Sequence, residues 1–533
     1  MKKYLLLSLI LILGYASKAQ TPNNYQPFSF DFYQKLNRQV YDVNSRFHSS
    51  FKSYYQDDSL LKSAVDSFYN YGTDTLKRSW VHRKLFNEHL LEIKKEDYTF
   101  YADFLPDFQI GYDRARSSNI WTNTRGYQFG GTIGSKFSFY TSGYENQAKF
   151  PQYIQNFVNA NGIIPSQVND KFGPGRDIKD WAYATAILSY TPIKYVNITL
   201  GQDKNFIGDG YRSVLLSDVA ANYPFFKLTG TLGNVKYMSM WAQFQDLKSP
   251  QFSYDNGYRK KWGVFHYLDW NVTNRLSLGF FDSVIWQDAD STGKRGFDLS
   301  YVNPLIFLRP VEGQNGSPDN ALIGFSVKYE LFKNLAVYGQ VAIDEFTIKE
   351  VFAGNGYWAN KFAYQIGIKG FDAFKIKSLN YLLEYNTARP YTYSQRNSLL
   401  NYGHYNQPLA HLYGANFKEF VTICNYAYKR IDLMGKLNLA KYGLDGTNDN
   451  YGKDIFKSYN TRNSNYGNYT AQGIGTTLTF LEGKIGYLIN PNYNLRLEIG
   501  GVIRSEKNTV FNNNTGIISL GIRSTFRNLY TDF

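Results

Sequence analysis

Residues 201–228 read GQDKNFIGDGYRSVLLSDVAANYPFFKL, and this stretch separates two segments in which apolar and polar residues alternate. Val196, Ile198 and Leu200 alternate with polar residues before it, and an aromatic segment follows Pro224. Alternation with a period of two is typical of β-strands that have one apolar face. The stretch is therefore interpreted as a long connection between two strands.

The same alternation recurs through the chain from Tyr98 onward. Strands of about ten residues with apolar side chains at every second position are typical of a transmembrane barrel wall. The sequence predicts an all-β membrane protein, an 18-stranded antiparallel transmembrane β-barrel, with the even strand number of closed bacterial barrels. The predicted strands are 98–112, 125–134, 136–146, 181–190, 195–203, 224–232, 235–246, 262–271, 274–287, 321–330, 335–346, 360–371, 378–388, 416–428, 431–442, 472–489, 494–505 and 515–528.

Short and long connections alternate between these strands. Outer-membrane barrels have short periplasmic turns and longer extracellular loops. We therefore expect the long connections to be reachable from outside the cell and the short turns to face the periplasm. The long connections are 147–180, 204–223, 247–261, 288–320, 347–359, 389–415 and 443–471, and the short turns include those at Thr191, Asn334 and Asn492.

Glycines and charges shape the connection at 204–223. We expect Gly208 and Gly210 to hold backbone conformations, or a close chain approach, that a Cβ atom would obstruct. Asp203 and Arg212 are expected to pair with each other out of bulk water. On this interpretation the connection shapes a luminal or extracellular surface and is not part of the wall.

Composition favours the same class of protein. Aromatic residues make up 18% of the chain, although the mean hydropathy is only −0.42. Aromatic girdles at two membrane interfaces raise the Tyr and Phe content, and alternating strands keep the mean hydropathy low. The bacterial outer membrane is therefore the predicted location.

The formal net charge of +14 bears on the partners of the protein. A basic surface suits outer-membrane lipid and lipopolysaccharide, or an acidic surface polysaccharide. Nucleic acid is not expected as a partner, because an exported chain rarely meets it and no run of five basic residues occurs.

The N-terminus predicts export. Lys2 and Lys3 precede an apolar run that is too short to cross a bilayer, and Ser17-Lys18-Ala19 forms a cleavage site. Helix formers dominate 58–95, which favours a small helical periplasmic region, with a plug inside the barrel as the alternative. The predicted domains are a signal peptide at 1–19, the helical periplasmic region at 20–97 and the barrel at 98–533.

Catalytic and metal-binding motifs are missing from the sequence. His82 and His89 lack the spacing of a zinc motif, and His266 lies within a predicted strand, where we expect it to face the lumen. The single cysteine, Cys424, excludes a disulfide framework. We expect no cofactor, no metal and no enzymatic activity. An outer-membrane hydrolase is a further hypothesis, but it lacks its G-x-S-x-G motif.

Two long connections hold candidate functional elements. In 147–180, the spacing of Tyr153, Ile154, Phe157 and Val158 predicts a short helix that folds inward. The connection 389–415 is rich in Tyr and Arg and has no acidic residue; aromatic faces stack on sugars, and Arg forks pair with anions. Alternatively, these tyrosines pack the loop over the barrel mouth. The candidate glycan-binding residues are Arg389, Tyr391, Tyr393, Arg396, Tyr402 and His404.

The stretch quoted first resembles outer-membrane barrels of the Wzi capsule-assembly family. The pattern is a strand-end Gly, then G-x-G, then S-x-L-L-S-D-x-A and a Pro. A second similar segment has Asn303-Pro304 before an apolar patch and Asp319-Asn320 at the start of the next strand. The motif residues are Gly201, Asp203, Gly208, Gly210, Arg212, Ser213, Leu215, Leu216, Ser217, Asp218, Ala220 and Pro224.

The resemblance implies a surface lectin that helps to hold capsule, with no enzymatic step. The chain is similar in particular to gliding-motility members of this family in Bacteroidetes, which implies gliding-machinery proteins as partners. The preferred hypothesis is a non-enzymatic outer-membrane barrel for gliding motility or for attachment or handling of cell-surface polysaccharide. The alternative is a porin-like diffusion channel for small solutes, which requires an open lumen.

Overall fold

The computed structural model describes residues 24–533, except 71–77, 250, 252–256, 306, 315, 317 and 318; the predicted signal peptide at 1–19 lies outside this range. Eighteen long strands form a closed antiparallel barrel. They are β1 (Tyr98–Asp113), β2 (Ser118–Ile133), β3 (Phe137–Lys149), β4 (Ile178–Ile193), β5 (Val196–Asp203), β6 (Tyr223–Leu232), β7 (Val235–Asp246), β8 (Arg259–Asn271), β9 (Leu276–Gln287), β10 (Asn320–Phe332), β11 (Leu335–Glu345), β12 (Lys361–Gly370), β13 (Leu379–Ala388), β14 (Phe417–Tyr428), β15 (Ile431–Leu444), β16 (Ile474–Asn490), β17 (Leu495–Lys507) and β18 (Asn512–Ser524).

Each strand pairs with its neighbours in sequence order, and β18 closes the barrel on β1. In that closing ladder Ile517 lies opposite Asp113, and Arg523 lies opposite Asp107. The predicted 18-stranded barrel is confirmed, and most strand ends lie close to their predicted positions. The last strand differs, since it ends at Ser524 and the residues after it turn into the lumen.

The wall has an apolar outer face and an inner face rich in polar side chains. On β1, Ile110 is exposed on the outer face, whereas Asp107 and Asp113 are buried on the inner face. Ile503 and Ile518 continue the exposed apolar belt on β17 and β18. A closed barrel leaves no backbone edge unpaired in hydrocarbon, and its apolar belt matches the lipid. The protein is therefore an outer-membrane barrel.

The helices of the described residues are short. Ser29 caps the first of them by accepting a hydrogen bond from the Phe32 amide, and Gly162 ends the fifth in a left-handed conformation. No helix in the described part of the chain combines the length and the apolar character that crossing a membrane requires. The α-helices of the described residues are α1 (Phe30–Gln34), α2 (Asn37–Val40), α3 (Lys62–Tyr69), α4 (Trp80–Phe86), α5 (Gln152–Asn161), α6 (Leu308–Gln314) and α7 (Ile348–Ala353).

Part of the segment before β1, from Tyr25 to Tyr55, reaches into the barrel from its periplasmic end. Arg46 donates hydrogen bonds to Asn234 and Asn274, which lie in two short turns. Further inside, the short strand Phe51–Lys52 pairs with Phe206–Ile207 of the connection after β5. These contacts are those of a luminal plug. A separate periplasmic domain at 20–97 stays a prediction.

Residues after β18 also enter the lumen. Just beyond Ser524, the Asn528 side chain accepts a hydrogen bond from the Phe30 amide at 2.8 Å. At the far end of this segment, the Phe533 ring packs on Phe157 of α5 with ring centroids 4.8 Å apart. Residues 525–533 thus run along the lumen from the periplasmic to the extracellular side.

Candidate functional site

The connection between β5 and β6 lies inside the barrel, and residues 205–223 are buried. The expectation that 204–223 is reachable from outside the cell is therefore wrong. Inward-facing side chains of the wall satisfy its backbone groups: Gln340 accepts from the Val214 amide at 3.0 Å, and Glu384 accepts from the Tyr211 amide at 2.9 Å. These bonds offset the cost of burying a loop backbone.

The predicted role of the two central glycines is confirmed. Gly208 has a φ of +146°, and a Cβ atom there would meet the side-chain amide of Gln340. A Cβ atom at Gly210 would collide with the carboxylate of Glu384. Both positions bring the connection against the wall more closely than any larger residue allows. The two ends of the motif, Gly201 and Pro224, lie in β5 and β6 respectively.

Arg212 lies at the centre of the lumen and is 1% exposed. It pairs with Glu419 at 2.9 Å and with Asp532 at 3.0 Å. The predicted pair between Asp203 and Arg212 is wrong, because Asp203 at the end of β5 accepts from the Tyr25 hydroxyl at 2.9 Å while Arg212 points towards β14. Both charges are satisfied by segments distant in sequence.

Other polar residues of the motif tie the connection to three further segments. Asp209 accepts from the Tyr41 hydroxyl at 2.8 Å, and Asp218 accepts from the Tyr530 hydroxyl at 2.7 Å. The Ser217 hydroxyl donates to backbone carbonyls of the connection after β13. The motif therefore holds the luminal filling together.

Most of the predicted glycan-binding residues are buried. The Tyr393 hydroxyl donates to the Val214 carbonyl, and the Tyr402 hydroxyl donates to the Leu215 carbonyl, each at 2.7 Å. The Tyr391 hydroxyl likewise donates to a backbone carbonyl, that of residue 450. In this arrangement the three tyrosines pack the loop onto the lumen, as the alternative interpretation expects.

His404 is buried beside these tyrosines. Its Nδ1 accepts from the Gln245 amide at 3.0 Å, and its Nε2 lies 3.3 Å from the Asn222 carbonyl. Burial lowers the pKa of His404 from 6.5 to about 3, so the ring is neutral at physiological pH.

The two arginines of the predicted set differ from each other. Arg389 is half-buried and donates to the Asn360 carbonyl at 2.8 Å. Arg396 is exposed, and its carbonyl accepts from the Ser458 hydroxyl at 2.6 Å. The six residues are thus not brought together into one open surface, and Arg396 is the exposed member of the set.

An open aromatic surface lies next to Arg396 on the extracellular side. We name it the mouth platform: Tyr357, Trp358, Tyr459, Tyr466 and Tyr469. Ring centroids are 4.7 Å apart for Trp358 and Tyr459, and 5.4 Å apart for Tyr357 and Tyr466. Tyr466 and Tyr469 are 51% and 65% exposed, so their ring faces are accessible from outside.

Backbone contacts between two extracellular connections hold the platform in place. The Trp358 amide donates to the Asn465 carbonyl at 2.9 Å, and the Asn468 amide donates to the Gly356 carbonyl at 3.0 Å. Gly356 has a φ of +70°, and a Cβ atom there would collide with the backbone of Asn468. Arg462 stacks over the Trp358 ring at 4.1 Å.

A pocket of about 500 Å³ lies on the other side of the connection after β15. The rings of Tyr413 and Tyr442 stack in it at 5.4 Å. The Lys453 amine lies 4.7 Å from the Tyr442 ring and donates to the Tyr413 carbonyl at 2.9 Å. Arg504 and Glu506 pair at 3.0 Å in its wall. Burial lowers the pKa of Lys453 to about 8, so the amine loses its charge at mildly alkaline pH.

Little in the sequence indicates these two surfaces directly. In the mouth platform, the contact between Asn468 and Gly356 joins connections 112 residues apart. The available signal was the recurrence of Tyr within 443–471, where Tyr459, Tyr466 and Tyr469 lie.

Two further expectations have clear outcomes. The helix predicted in 147–180 is confirmed as α5, with Tyr153 and Val158 buried against the luminal side. The expectation that His266 faces the lumen is wrong, because it shares the outer face of β8 with the exposed Trp270.

Among the described residues, no group of three or more His, Cys, Asp or Glu side chains could hold a metal ion.

Comparison with known proteins gives matches among solved structures. Wzi, an outer-membrane protein involved in group 1 capsule assembly in Escherichia coli and described as a carbohydrate-binding β-barrel, matches with a TM-score of 0.53 at 11% identity, over 94% of this chain and 99% of that chain. OprD of Pseudomonas aeruginosa matches with a TM-score of 0.42 at 10% identity, over 79% of this chain and 94% of that chain. No family model and no curated protein matches the sequence. The likeness to Wzi extends to the fold.

Proposed function

We propose that this protein is a non-enzymatic outer-membrane barrel that attaches or handles cell-surface polysaccharide, and that it does so in gliding motility. The observation that carries the proposal is the mouth platform, a cluster of aromatic rings on the extracellular side in which Tyr466 and Tyr469 are exposed and the other three residues are half-buried. Exposed aromatic surface on a folded protein marks an interaction site. The gliding context is supported by the sequence resemblance to the Bacteroidetes gliding motility protein RemB.

The chemistry around the platform suits a polysaccharide. The faces of Tyr466 and Tyr469 offer flat surfaces for the apolar faces of sugar rings. Arg462 stacks on Trp358 of the platform, and Arg396 is hydrogen-bonded to Ser458, next to Tyr459; both arginines offer forked donors for carboxylate or phosphate groups. The pocket beyond the same connection provides a second, more enclosed surface with aromatic walls and Lys453.

The filled lumen favours binding over solute diffusion. The connection after β5, the N-terminal residues and residues 525–533 meet around Arg212, which is buried. A diffusion channel needs a continuous aqueous path, which these segments occupy in the described structure. The porin-like alternative therefore predicts a measurable property, conductance, that the proposed function does not.

The test is binding of the purified, folded barrel to an array of surface polysaccharides. We expect Tyr466→Ala and Tyr469→Ala each to weaken binding about tenfold, or about 1.4 kcal/mol. Tyr428→Ala is the matched control, because Tyr428 is 54% exposed at the periplasmic end of β14.

Cells carrying the platform variants should also spread less on surfaces. Unchanged binding in both platform variants would contradict the proposal, and steady conductance of the wild-type barrel in planar bilayers would favour the diffusion channel.

A further inference from the structure

The connection after β9 does not extend away from the membrane as a long extracellular loop would. Residues 297–305 and 307–314, which we name the wall flap, fold down along the outer face of the barrel. The Trp241 indole donates to the Tyr301 carbonyl at 2.8 Å, and the Ser239 hydroxyl donates to the Pro304 carbonyl at 2.7 Å. Both side chains belong to the outer face of β7, because Trp241 lies opposite the exposed Phe226.

The register of β9 gives the depth that the wall flap reaches. The Leu308 amide, at the start of α6, donates to the Asp282 carboxylate at 2.7 Å. Asp282 lies midway along β9, six residues from Leu276 at the periplasmic end. Six residues correspond to about 20 Å along a strand and about 15 Å along the axis of a barrel with tilted strands. The apolar band of such barrels is about 25 Å tall, so this contact lies within it.

The two sides of the wall flap differ in character. Its inner side covers His266, Asp282 and Trp286, which are all buried although they point away from the lumen. Its outer side presents Leu305 and Phe307, which are 79% and 64% exposed. Leu299, at 75%, and Val302, at 49%, are exposed as well. The wall flap thus replaces a polar patch of the wall with an apolar surface.

This apolar surface is continuous with the lipid-facing belt. The Phe307 ring packs on Phe280 of β9 at 5.5 Å, and Phe280 packs on Phe325 of β10 at 5.5 Å. Phe325 is exposed on the outer face of the wall.

Charged residues around the wall flap are paired. Arg309 and Glu312 of α6 pair at 2.7 Å. At the extracellular end, Arg295 binds Asp319 at 2.7 Å and also contacts Asp298, so it clamps the start of the flap to the residue that precedes β10. Pairing lowers the cost of placing charges next to hydrocarbon.

We propose that the wall flap is inserted in the membrane and that its outer surface binds the acyl chains of outer-leaflet lipids. Acyl chains are the occupant that the surface fits, because it is apolar, lies at the depth of hydrocarbon and continues the lipid-facing belt. The second segment of the family resemblance acquires a structural role here: Pro304 anchors the flap to β7, and Asp319 closes its clamp.

The test places a single fluorescent label on the protein in lipid vesicles. Leu305→Cys and Phe307→Cys are made separately in a Cys424→Ser background, labelled with an environment-sensitive dye and refolded into phosphatidylcholine vesicles. Quenching is then measured with doxyl groups on the acyl chains and with aqueous iodide. Leu278→Cys is the lipid-facing control, and Thr292→Cys is the aqueous control, since both side chains are exposed.

We expect labels at positions 305 and 307 to be quenched by doxyl lipid as strongly as the label at 278, and to be at least fivefold less sensitive to iodide than the label at 292. Quenching of the flap labels by iodide would overturn the proposal and place the segment in water. Protection from both quenchers would also overturn it, because a protein surface would then cover the flap.

Discussion

Arg212 has no counterion within its own connection and takes two from different parts of the chain. Glu419 belongs to β14, and Asp532 belongs to the segment after β18. An ion pair this deeply buried adds little net stability compared with an apolar pair, but removing one partner leaves a buried charge uncompensated. Arg212 is therefore needed for packing of the luminal segments.

We expect Arg212→Ala to lower the free energy of unfolding by about 3 kcal/mol. The wall should still insert, because its ladders and apolar belt are unchanged. The measurement is urea unfolding of the purified barrel, in which the folded fraction is monitored by its heat-dependent migration on gels. Arg396→Ala, at an exposed site, should change stability by less than about 0.5 kcal/mol. Equal stability of the Arg212 variant and the wild type would contradict the packing role.

Acid sensitivity is a second property of single residues. The native pKa of His404 is lowered to about 3, so below pH 6.5 the unfolded chain binds a proton that the native chain does not. Stability therefore falls as the pH drops from 6.5 towards about 3, by about 1.4 kcal/mol per pH unit from this residue. We expect His404→Gln to lose about 2 kcal/mol less than the wild type between pH 7.5 and pH 5 in urea unfolding. An identical acid slope in the two proteins would refute this.

At the scale of elements, the strands were predictable and the path of the connections was not. Alternation is a local property, and lipid on one side of the wall enforces it at every second residue, so all eighteen strands could be found. The connection at 204–223 is polar, glycine-rich and long, as an extracellular loop would be, yet its partners lie on β11 and β13. Partners that distant leave no local signal. The aromatic connection at 389–415 shows the same limit. Its composition suggested glycan binding, but Tyr393 and Tyr402 are buried against residues that are distant in sequence.

Labelling of single cysteines in whole cells tests the resulting topology. In a Cys424→Ser background, we expect Ser464→Cys to react with an impermeant maleimide, because Ser464 is exposed on the extracellular side. Lys333→Cys, in a short turn, should react only after the outer membrane is permeabilised. Ser213→Cys should react in neither case, since Ser213 is buried in the lumen. Labelling at position 333 in intact cells would invert the assigned orientation.

At the scale of the whole molecule, three segments from different parts of the chain close the lumen. Residues 525–533 lie at their centre, where Asp532 binds both Arg212 and Lys436. The ladders of the wall include none of these residues, because β18 ends at Ser524. We therefore expect the wall to form without this part of the filling.

We expect the wild-type barrel to be non-conducting in planar bilayers and a variant lacking residues 525–533 to show ion conductance. Removing the segment empties part of the lumen while the wall keeps its ladders. Asp532→Asn is the matched control, since it removes one charge but keeps the segment, and it should stay closed. A closed deletion variant would show that the other two segments block the lumen without it.

The hydrogen bond between Phe30 and Asn528 spans 498 residues of sequence, and the closing ladder places Ile517 opposite Asp113, whereas the other wall ladders join strands that are consecutive in sequence. Closing a loop of that length costs more chain entropy than closing a hairpin, and contacts of high sequence separation form slowly. The order of assembly follows from this difference: hairpins form first, and closure of the barrel and filling of the lumen come later. A nascent barrel therefore passes through a stage in which its hairpins exist and its lumen is not yet filled.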